Sequence, residues 1–212
     1  MENMDEMEGT QSVVSRRSFI KGVIASGATV TAAGTMLRNG GPATAQAQQA
    51  APGAVERMIR LTVNGQQRTV DVLDQETLAM TLRYKLNLPG TKLGCDRAEC
   101  GCCTVLIDGV THYGCSILTH QVRGREVTTI EGLASPSGEL HPVQQAALDE
   151  AGFQCAFCAS GFLMSMAGML KINPEPTRAE AAHALSGNLC RCGDYNKILN
   201  VAMRASEIAR SS

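Results

Sequence analysis

Cysteine is the residue type that most restricts what this 212-residue chain can fold into. Nine cysteines are present, and eight of them form two tight groups with the spacing of metal ligands, while the ninth lies inside the first group. Grouped cysteines serve as disulfide partners or as metal ligands. The odd count and the tight spacing both weaken the disulfide interpretation. The chain is therefore expected to fold around metal-bound thiolates.

The first group consists of four cysteines on and just after a single predicted loop. Its spacing is C-x4-C-x2-C, then eleven residues, then a fourth cysteine. A [2Fe–2S] cluster needs four thiolates, and this spacing is that of plant-type ferredoxins. Zinc is the alternative, but zinc sites favour paired C-x2-C knuckles, in which a four-residue spacing is unusual. The predicted ligands of a first cluster are Cys95, Cys100, Cys103 and Cys115.

The second group is less specific when its spacing is considered alone. Cys155 and Cys158 form a C-x2-C pair, and 31 residues later Cys190 and Cys192 form a C-x-C pair. An iron–sulfur cluster, a zinc ion and disulfides all remain open for this group. Each pair precedes a predicted helix, and the unpaired amides of a helix N-terminus would hydrogen-bond negatively charged sulfurs. That setting favours a second cluster.

The first 47 residues are interpreted as a twin-arginine export signal. Arg16 and Arg17 precede a weakly apolar run over residues 22–37, and small residues spaced two apart follow it. The run has 16 residues, fewer than the roughly 20 that span a bilayer, so no stable membrane anchor is expected. The signal resembles those of proteins that use the twin-arginine route, and such proteins load their cofactors before export to the periplasm. Residues 48–56 are interpreted as a tether.

Residues 57–133 are predicted to form a small mixed sheet with one helix packed across it. Asn64-Gly65 lies between two strand-like segments and favours a two-residue hairpin turn. A helix is expected over residues 77–86, where leucines recur every four positions, with Asp74 as its cap. Further strands are predicted over 104–107, after the turn Asp108-Gly109, and over 126–130.

Residues 134–140 are predicted to be a linker, and residues 141–212 a second domain that contains only helices. Strand patterns stop at the linker, and four helical segments follow, separated by prolines and glycines. The helices are expected over residues 141–151, 160–172, 177–185 and 196–210. The fold class is therefore α+β, with a sheet domain first and a four-helix domain second.

The composition argues against one class of partner. The net charge is −1, basic residues are not clustered, and aromatic residues make up 3% of the chain, so nothing indicates nucleic-acid binding. A chain so poor in aromatic side chains needs another source of stability, and small domains commonly obtain it from metals or disulfides.

Three cysteine motifs together resemble those of a known family. From about Met58 to its end, the chain is similar to the small subunit of the molybdenum hydroxylases, the family of xanthine dehydrogenase, carbon monoxide dehydrogenase and aldehyde oxidoreductase. The motifs are LGC…ECGCCTV at residues 93–105, GFQCAFC at 152–158 and SGNLCRC at 186–192.

The resemblance implies a β-grasp ferredoxin domain followed by a helical domain that binds a second [2Fe–2S] cluster. It implies that all four cysteines of each group are ligands, and that Gln154 and Cys192 contact the pterin of a large molybdopterin-binding subunit. A medium subunit with FAD would lie nearer the first cluster, which makes a heterotrimer the expected assembly.

Several residues depart from the family pattern. Ala98 and Ala156 each stand where glycine is common, and Gly193-Asp194 stands where Thr-Gly is common. Glycine at the first position suggests a positive φ, which costs alanine roughly 1–2 kcal/mol. None of these changes removes a ligand. Cys102 fits no ligand register and is interpreted as a spare small side chain.

The function implied by the resemblance is electron transfer. The chain would carry electrons singly from the molybdenum centre of its large partner through two clusters towards FAD or another acceptor. Periplasmic export favours aldehydes as substrates of the complex, with N-heterocycles as the alternative. A free-standing ferredoxin-type carrier is a different class of function, which the helical domain disfavours, and an exported zinc-stabilised module is a further one.

Overall fold

A five-stranded mixed sheet forms the first half of the fold. The computed structural model describes residues 56–211, so the predicted signal and nearly all of the tether lie outside the described residues. The strand order is β2-β1-β5-β3-β4, with β1 and β5 parallel and the other pairs antiparallel. The strands are Glu56–Val63 (β1), Gln66–Leu73 (β2), Thr104–Ile107 (β3), Val110–Tyr113 (β4) and Glu126–Thr128 (β5).

The first hairpin folds as its sequence predicts. Val63 pairs with Gln66 across a two-residue turn, where Asn64 and Gly65 have φ values of 52° and 72°. Positive φ at both turn residues matches the right-handed twist of the strands. Alternate residues of β1 point into the core, which buries Ile59, Leu61 and Val63.

The helix that crosses the sheet starts later than its predicted cap. It runs from Leu78 to Met80 (α1) and continues as a wider π turn over Thr81–Lys85, and it buries Leu78 and Leu82. The prediction that Asp74 caps it is wrong, because Thr77 occupies the N-cap position. Asp74 lies too far before the first helical amides to reach them. It pairs instead with Arg57, at 3.3 Å between Oδ1 and Nε.

Four further helices follow within about two residues of their predicted bounds. Two begin with side-chain caps: His141 Nδ1 accepts from the amide of Val143, and Thr177 Oγ1 accepts from the amide of Glu180. No helix within residues 56–211 combines the length and the apolar character that a membrane span requires. The helices are Pro142–Asp149 (α2), Ala159–Ile172 (α3), Arg178–Ala184 (α4) and Tyr195–Ser211 (α5).

The sheet and the helices belong to one compact unit. Helix α3 packs against β3, and the core of the helices includes Cys102 from the loop before β3 and Leu106 from β3 itself. A second core lies between the sheet and α1 and includes Ile59, Leu61, Leu78 and Leu82. The shared core holds the two predicted ligand groups close to each other.

Candidate metal centres

The first thiol group lies on the loop between α1 and β3 and on the turn after β4. Cys95 contacts Cys100, and Cys103 contacts Cys115. The amides of Glu99 and Cys100 each donate to Cys95 Sγ at 3.4 Å, and a further loop amide donates to Cys115 Sγ at 3.3 Å. Four thiols in two contacting pairs, with amides directed at sulfur, can serve as two ligands for each of two irons.

The thiols of this loop differ in acidity because their surroundings differ. The slight burial of Cys95 opposes ionisation, but hydrogen bonds from the amides of Glu99, Arg97 and Cys100 outweigh it and lower its pKa to about 7. Burial raises the pKa of Cys103 to about 12; the backbone of Cys115 opposes this rise, whereas the Cys115 thiol adds to it. A buried thiol of this kind ionises when a metal ion binds it, so binding would release protons.

The second thiol group is held at the start of two helices. Cys158 occupies the N-cap position of α3, and Cys190 and Cys192 come shortly before α5. Cys155 contacts Cys192 on the exposed side, while Cys158 contacts Cys190 on the buried side. The Phe157 amide and the Cys192 thiol lower the pKa of Cys155, whereas burial raises that of Cys158 to about 12.

The arrangement of thiols fits a two-iron cluster better than a single ion. No group of three or more cysteine, histidine or acidic side chains in residues 56–211 is placed to hold one metal ion. A structural zinc ion would draw four thiols to about 2.3 Å from a single point. Each group contains two contacting thiol pairs, which matches the two thiolates that each iron of a [2Fe–2S] cluster takes.

The two thiol groups face a common cavity of about 430 Å³. Cys95 and Cys100 line it from the first group, and Cys155, Cys158 and Cys190 line it from the second. The structure therefore brings all the predicted ligand segments into one region of the molecule, although they are far apart in the sequence.

Asn188, which the sequence analysis missed, joins the two ligand segments. Its side chain is buried, its Nδ2 donates to the carbonyl oxygen of Gly101 at 3.0 Å, and its Oδ1 accepts from Ser165 Oγ at 2.7 Å. The next residue, Leu189, donates its amide to the carbonyl oxygen of Cys100 at 3.0 Å. Asn188 lies in the SGNLCRC motif, but the sequence does not indicate its role, because its partners come from distant segments.

Helix α3 approaches the first thiol loop so closely that only glycine fits at position 161. A Cβ there would collide with the carbonyl oxygen of Gly101 and lie 2.9 Å from the Cα of Cys102. Cys102 is buried between this helix and Cys100, and burial raises its pKa to about 12. It is packed in the core of the helices and also lines the cavity that both thiol groups face.

The two alanines that replace common glycines both have positive φ. Ala98 has a φ of 59° and Ala156 a φ of 56°. The strain that the sequence predicted at Ala98 is therefore present, and the same strain occurs in the second thiol group. The backbone keeps the left-handed conformation at both positions, although alanine is strained there.

The predicted pterin contacts lie on the exposed rim of the second group. Gln154 and Cys192 are both exposed, and Cys192 touches Cys155, the neighbour of Gln154. The backbone amide and the Nε2 of Gln154 donate to the carboxylate of Asp194, at 3.3 and 2.7 Å. Asp194 is a second residue near the site that the sequence analysis gave no role.

Comparison with known families agrees with this geometry. Residues 61–127 match a family described as a 2Fe-2S iron-sulfur cluster binding domain, and residues 129–203 match a [2Fe-2S] binding domain. The first match covers the sheet and the second covers the helices. The predicted order of a β-grasp ferredoxin domain and a helical cluster-binding domain is confirmed.

Three curated relatives have similar sequences. The small subunit of nicotine 6-hydroxylase from Paenarthrobacter nicotinovorans is 46% identical, over 69% of this chain and 88% of its own length. One of the subunits of nicotinate dehydrogenase from Pseudomonas putida is 43% identical, over 74% of this chain and 99% of its own. The iron-sulfur-binding subunit of aldehyde oxidoreductase from Escherichia coli is 39% identical, over 88% and 85%.

A solved structure has the same fold. Quinoline 2-oxidoreductase from Pseudomonas putida 86 contains a chain that aligns with 74% of this one and 98% of its own length, at 36% identity and a TM-score of 0.70. The matches to the two family models, the sequence identities and this shared fold all agree with the resemblance seen in the three cysteine motifs. The chain belongs to the iron–sulfur small subunits of the molybdenum hydroxylases.

Proposed function

We propose that this chain is the exported electron-transfer subunit of a molybdenum-containing aldehyde oxidoreductase. The observation that carries its electron-transfer role is the presence of two sets of four free thiols, both of which contribute cysteines to one cavity. In the proposal, Cys95, Cys100, Cys103 and Cys115 bind the first [2Fe–2S] cluster. The second cluster is bound by Cys155, Cys158, Cys190 and Cys192.

When bound, each cluster accepts and releases one electron at a time. The residues of this chain hold the clusters, exclude water from their inner thiols and direct amides towards sulfur, which stabilises negative charge there. The hydrogen bonds of Asn188 and Leu189 keep the two ligand segments together. A short, rigid separation between the two centres is the property that an electron relay requires.

The exposed rim of the second group is the proposed contact with the large molybdopterin-binding subunit. Cys155 and Cys192 lie at the surface together with Gln154, and Phe157 beside them is about half exposed. Exposed apolar side chains next to a redox centre are suited to a protein interface. Electrons would enter at the second cluster and leave from the first towards a medium FAD-binding subunit, in a heterotrimer.

Aldehydes are the proposed substrate class because of the length of one alignment. The relative from Escherichia coli aldehyde oxidoreductase aligns with 88% of this chain, about 187 residues, although only 157 residues remain from position 56 onwards. The similarity therefore extends about 30 residues before position 56, into the proposed signal. The nicotine and nicotinate relatives align with 69% and 74% of the chain, which the sheet and helices alone can supply. N-heterocycles are the second candidate class, because those two relatives are named for nicotine and nicotinate.

The composition of the purified complex tests the relay. We expect about four irons and four sulfides per chain, and two separable S = 1/2 EPR signals after reduction. Two irons per chain in fully loaded protein, or stoichiometric zinc, would contradict it. The substrate class is tested separately, by turnover of aromatic and aliphatic aldehydes against nicotinate and quinoline with an artificial acceptor. Faster turnover of the heterocycles would support the second candidate.

Export is tested with the double variant Arg16→Lys, Arg17→Lys. We expect it to leave cluster-loaded precursor in the cytoplasm, whereas the unchanged chain reaches the periplasm. Periplasmic accumulation of the double variant would show that the twin-arginine assignment is wrong. The matched control replaces Arg57 and Arg60 by lysine, because these two arginines lie in β1, outside the proposed signal.

A further inference from the structure

Asp194 is a buried carboxylate with unusual partners. Its side chain is 8% exposed, and its two oxygens accept hydrogen bonds from the backbone amide and the Nε2 of Gln154. Two N–H donors on the two oxygens are the partners that an ionised carboxylate takes, since a protonated one would donate. None of the ion pairs found within residues 56–211 includes it.

The position of Asp194 places its charge beside the second thiol group. It follows Cys192 by two residues and immediately precedes helix α5, and its partner Gln154 is the neighbour of Cys155. The carboxylate also acts electrostatically on the Cys155 thiol, whose ionisation it opposes. The fixed negative charge therefore lies near the exposed edge of the second group, at Cys155.

A fixed charge at this place affects the gain of an electron. One-electron reduction takes a four-thiolate [2Fe–2S] cluster from an overall charge of 2− to 3−, so a neighbouring carboxylate disfavours it. Burial strengthens the interaction, because little water lies between the charges to screen it. The N-terminus of α5 offsets only part of the carboxylate charge, since it carries about half a positive charge.

We infer that Asp194 lowers the reduction potential of the second cluster relative to the first and so favours onward electron transfer between them. The inference rests on the proposed ligand sets. Each electron that the molybdenum centre supplies reduces the second cluster and then leaves it for the first, which restores the oxidised state.

Potentiometric titration followed by EPR, on the full chain with its partner subunits, tests this role. In Asp194→Asn we expect a more positive midpoint potential of the second cluster and a smaller change at the first. Asparagine keeps the shape of the side chain and an acceptor oxygen for the amide of Gln154, and the side-chain amide of Gln154 can turn to accept from its Nδ2. Asp194→Ser, which removes the charge with a smaller polar side chain, provides a second neutral variant if the first loads less than four irons.

Two controls separate charge from structure. Asp194→Glu keeps the charge and should keep a potential close to that of the unchanged protein. Glu207→Gln removes the same charge from the same helix, but 13 residues away, which is about 20 Å along the axis. That distance exceeds the screening length at physiological salt, so neither potential should move.

Three results would overturn the inference. The first is an unchanged second potential in a neutral variant that carries four irons. The second is an equal shift in Asp194→Glu, and the third is loss of the second cluster in both neutral variants, which would make Asp194 a structural requirement. Failure of the proposed function is distinguishable, because the unchanged protein would then lack four irons per chain.

Discussion

The two candidate centres achieve the same thiol count by different routes. In the first, three of four thiols lie on the nine residues from 95 to 103, and the fourth follows the adjacent hairpin. In the second, two thiol pairs separated by 31 residues meet because α3 and α5 share one core. The first centre is therefore mainly a property of a loop, and the second is a property of helix packing.

The largest expected effect comes from a cavity in the helical core. Phe162 lies in α3 and is 1% exposed, so Phe162→Ala should cost roughly 3–5 kcal/mol. We expect the second EPR signal to be lost at a lower guanidinium concentration than the first, because α3 positions Cys158. The matched control is Leu61→Ala in the separate core of the sheet. Equal loss of both signals in Phe162→Ala would remove the distinction between the centres.

The next largest effect is expected when a proposed ligand of the first centre is replaced. Cys103→Ser should lose or alter the first EPR signal and leave the second unchanged, because Cys103 contacts Cys115 in the proposed ligand set. Cys102→Ala should retain both signals, since this thiol is packed in the core of the helices. Cys102→Ser places a hydroxyl there without a known partner, at about 1–3 kcal/mol. The opposite result for these two neighbours would show that the register is misassigned.

The hydrogen bonds between the two centres can be removed without touching a ligand. Asn188→Ala leaves the Gly101 carbonyl oxygen and the Ser165 hydroxyl without this partner, so we expect a loss of about 1–3 kcal/mol in unfolding free energy. The magnetic coupling between the two reduced clusters should also weaken as their separation becomes less fixed. Ser165→Ala is the control, because it leaves the bond to Gly101 in place. Unchanged stability and coupling in Asn188→Ala would show that the contact between the ligand segments does not depend on this residue.

The smallest effect compares the same strain in both centres. Ala98→Gly and Ala156→Gly should each stabilise the protein by about 1 kcal/mol, because glycine adopts a positive φ without steric cost. Chemical denaturation with a common probe measures both, and Ala182→Gly, at an exposed position in the middle of α4, should destabilise by a similar amount. A loss of stability in either of the first two variants would mean that the gain in chain flexibility outweighs the relief of strain.

Local patterns in the sequence predicted most of the fold. The Asn64-Gly65 turn, the four helices and the first thiol loop follow from short-range preferences, because each involves residues close together in the chain. The cap of α1 failed at this level. Which of several polar residues caps a helix depends on where its first turn packs. The burial of Leu78 and Leu82 against the sheet fixes the position of that turn, so Thr77 rather than Asp74 becomes the N-cap.

The sequence by itself determined which side chains can bind metal, since the number, type and spacing of the thiols are properties of the chain. Only the tertiary structure decided how the two groups face one cavity, which thiols are exposed, and that Asn188 and Asp194 lie beside them. The physical reason is that a hydrogen bond or a charge acts over a few ångströms of space. The partners of Asn188 are more than 20 residues away and those of Asp194 are 40, and no local pattern records such distances.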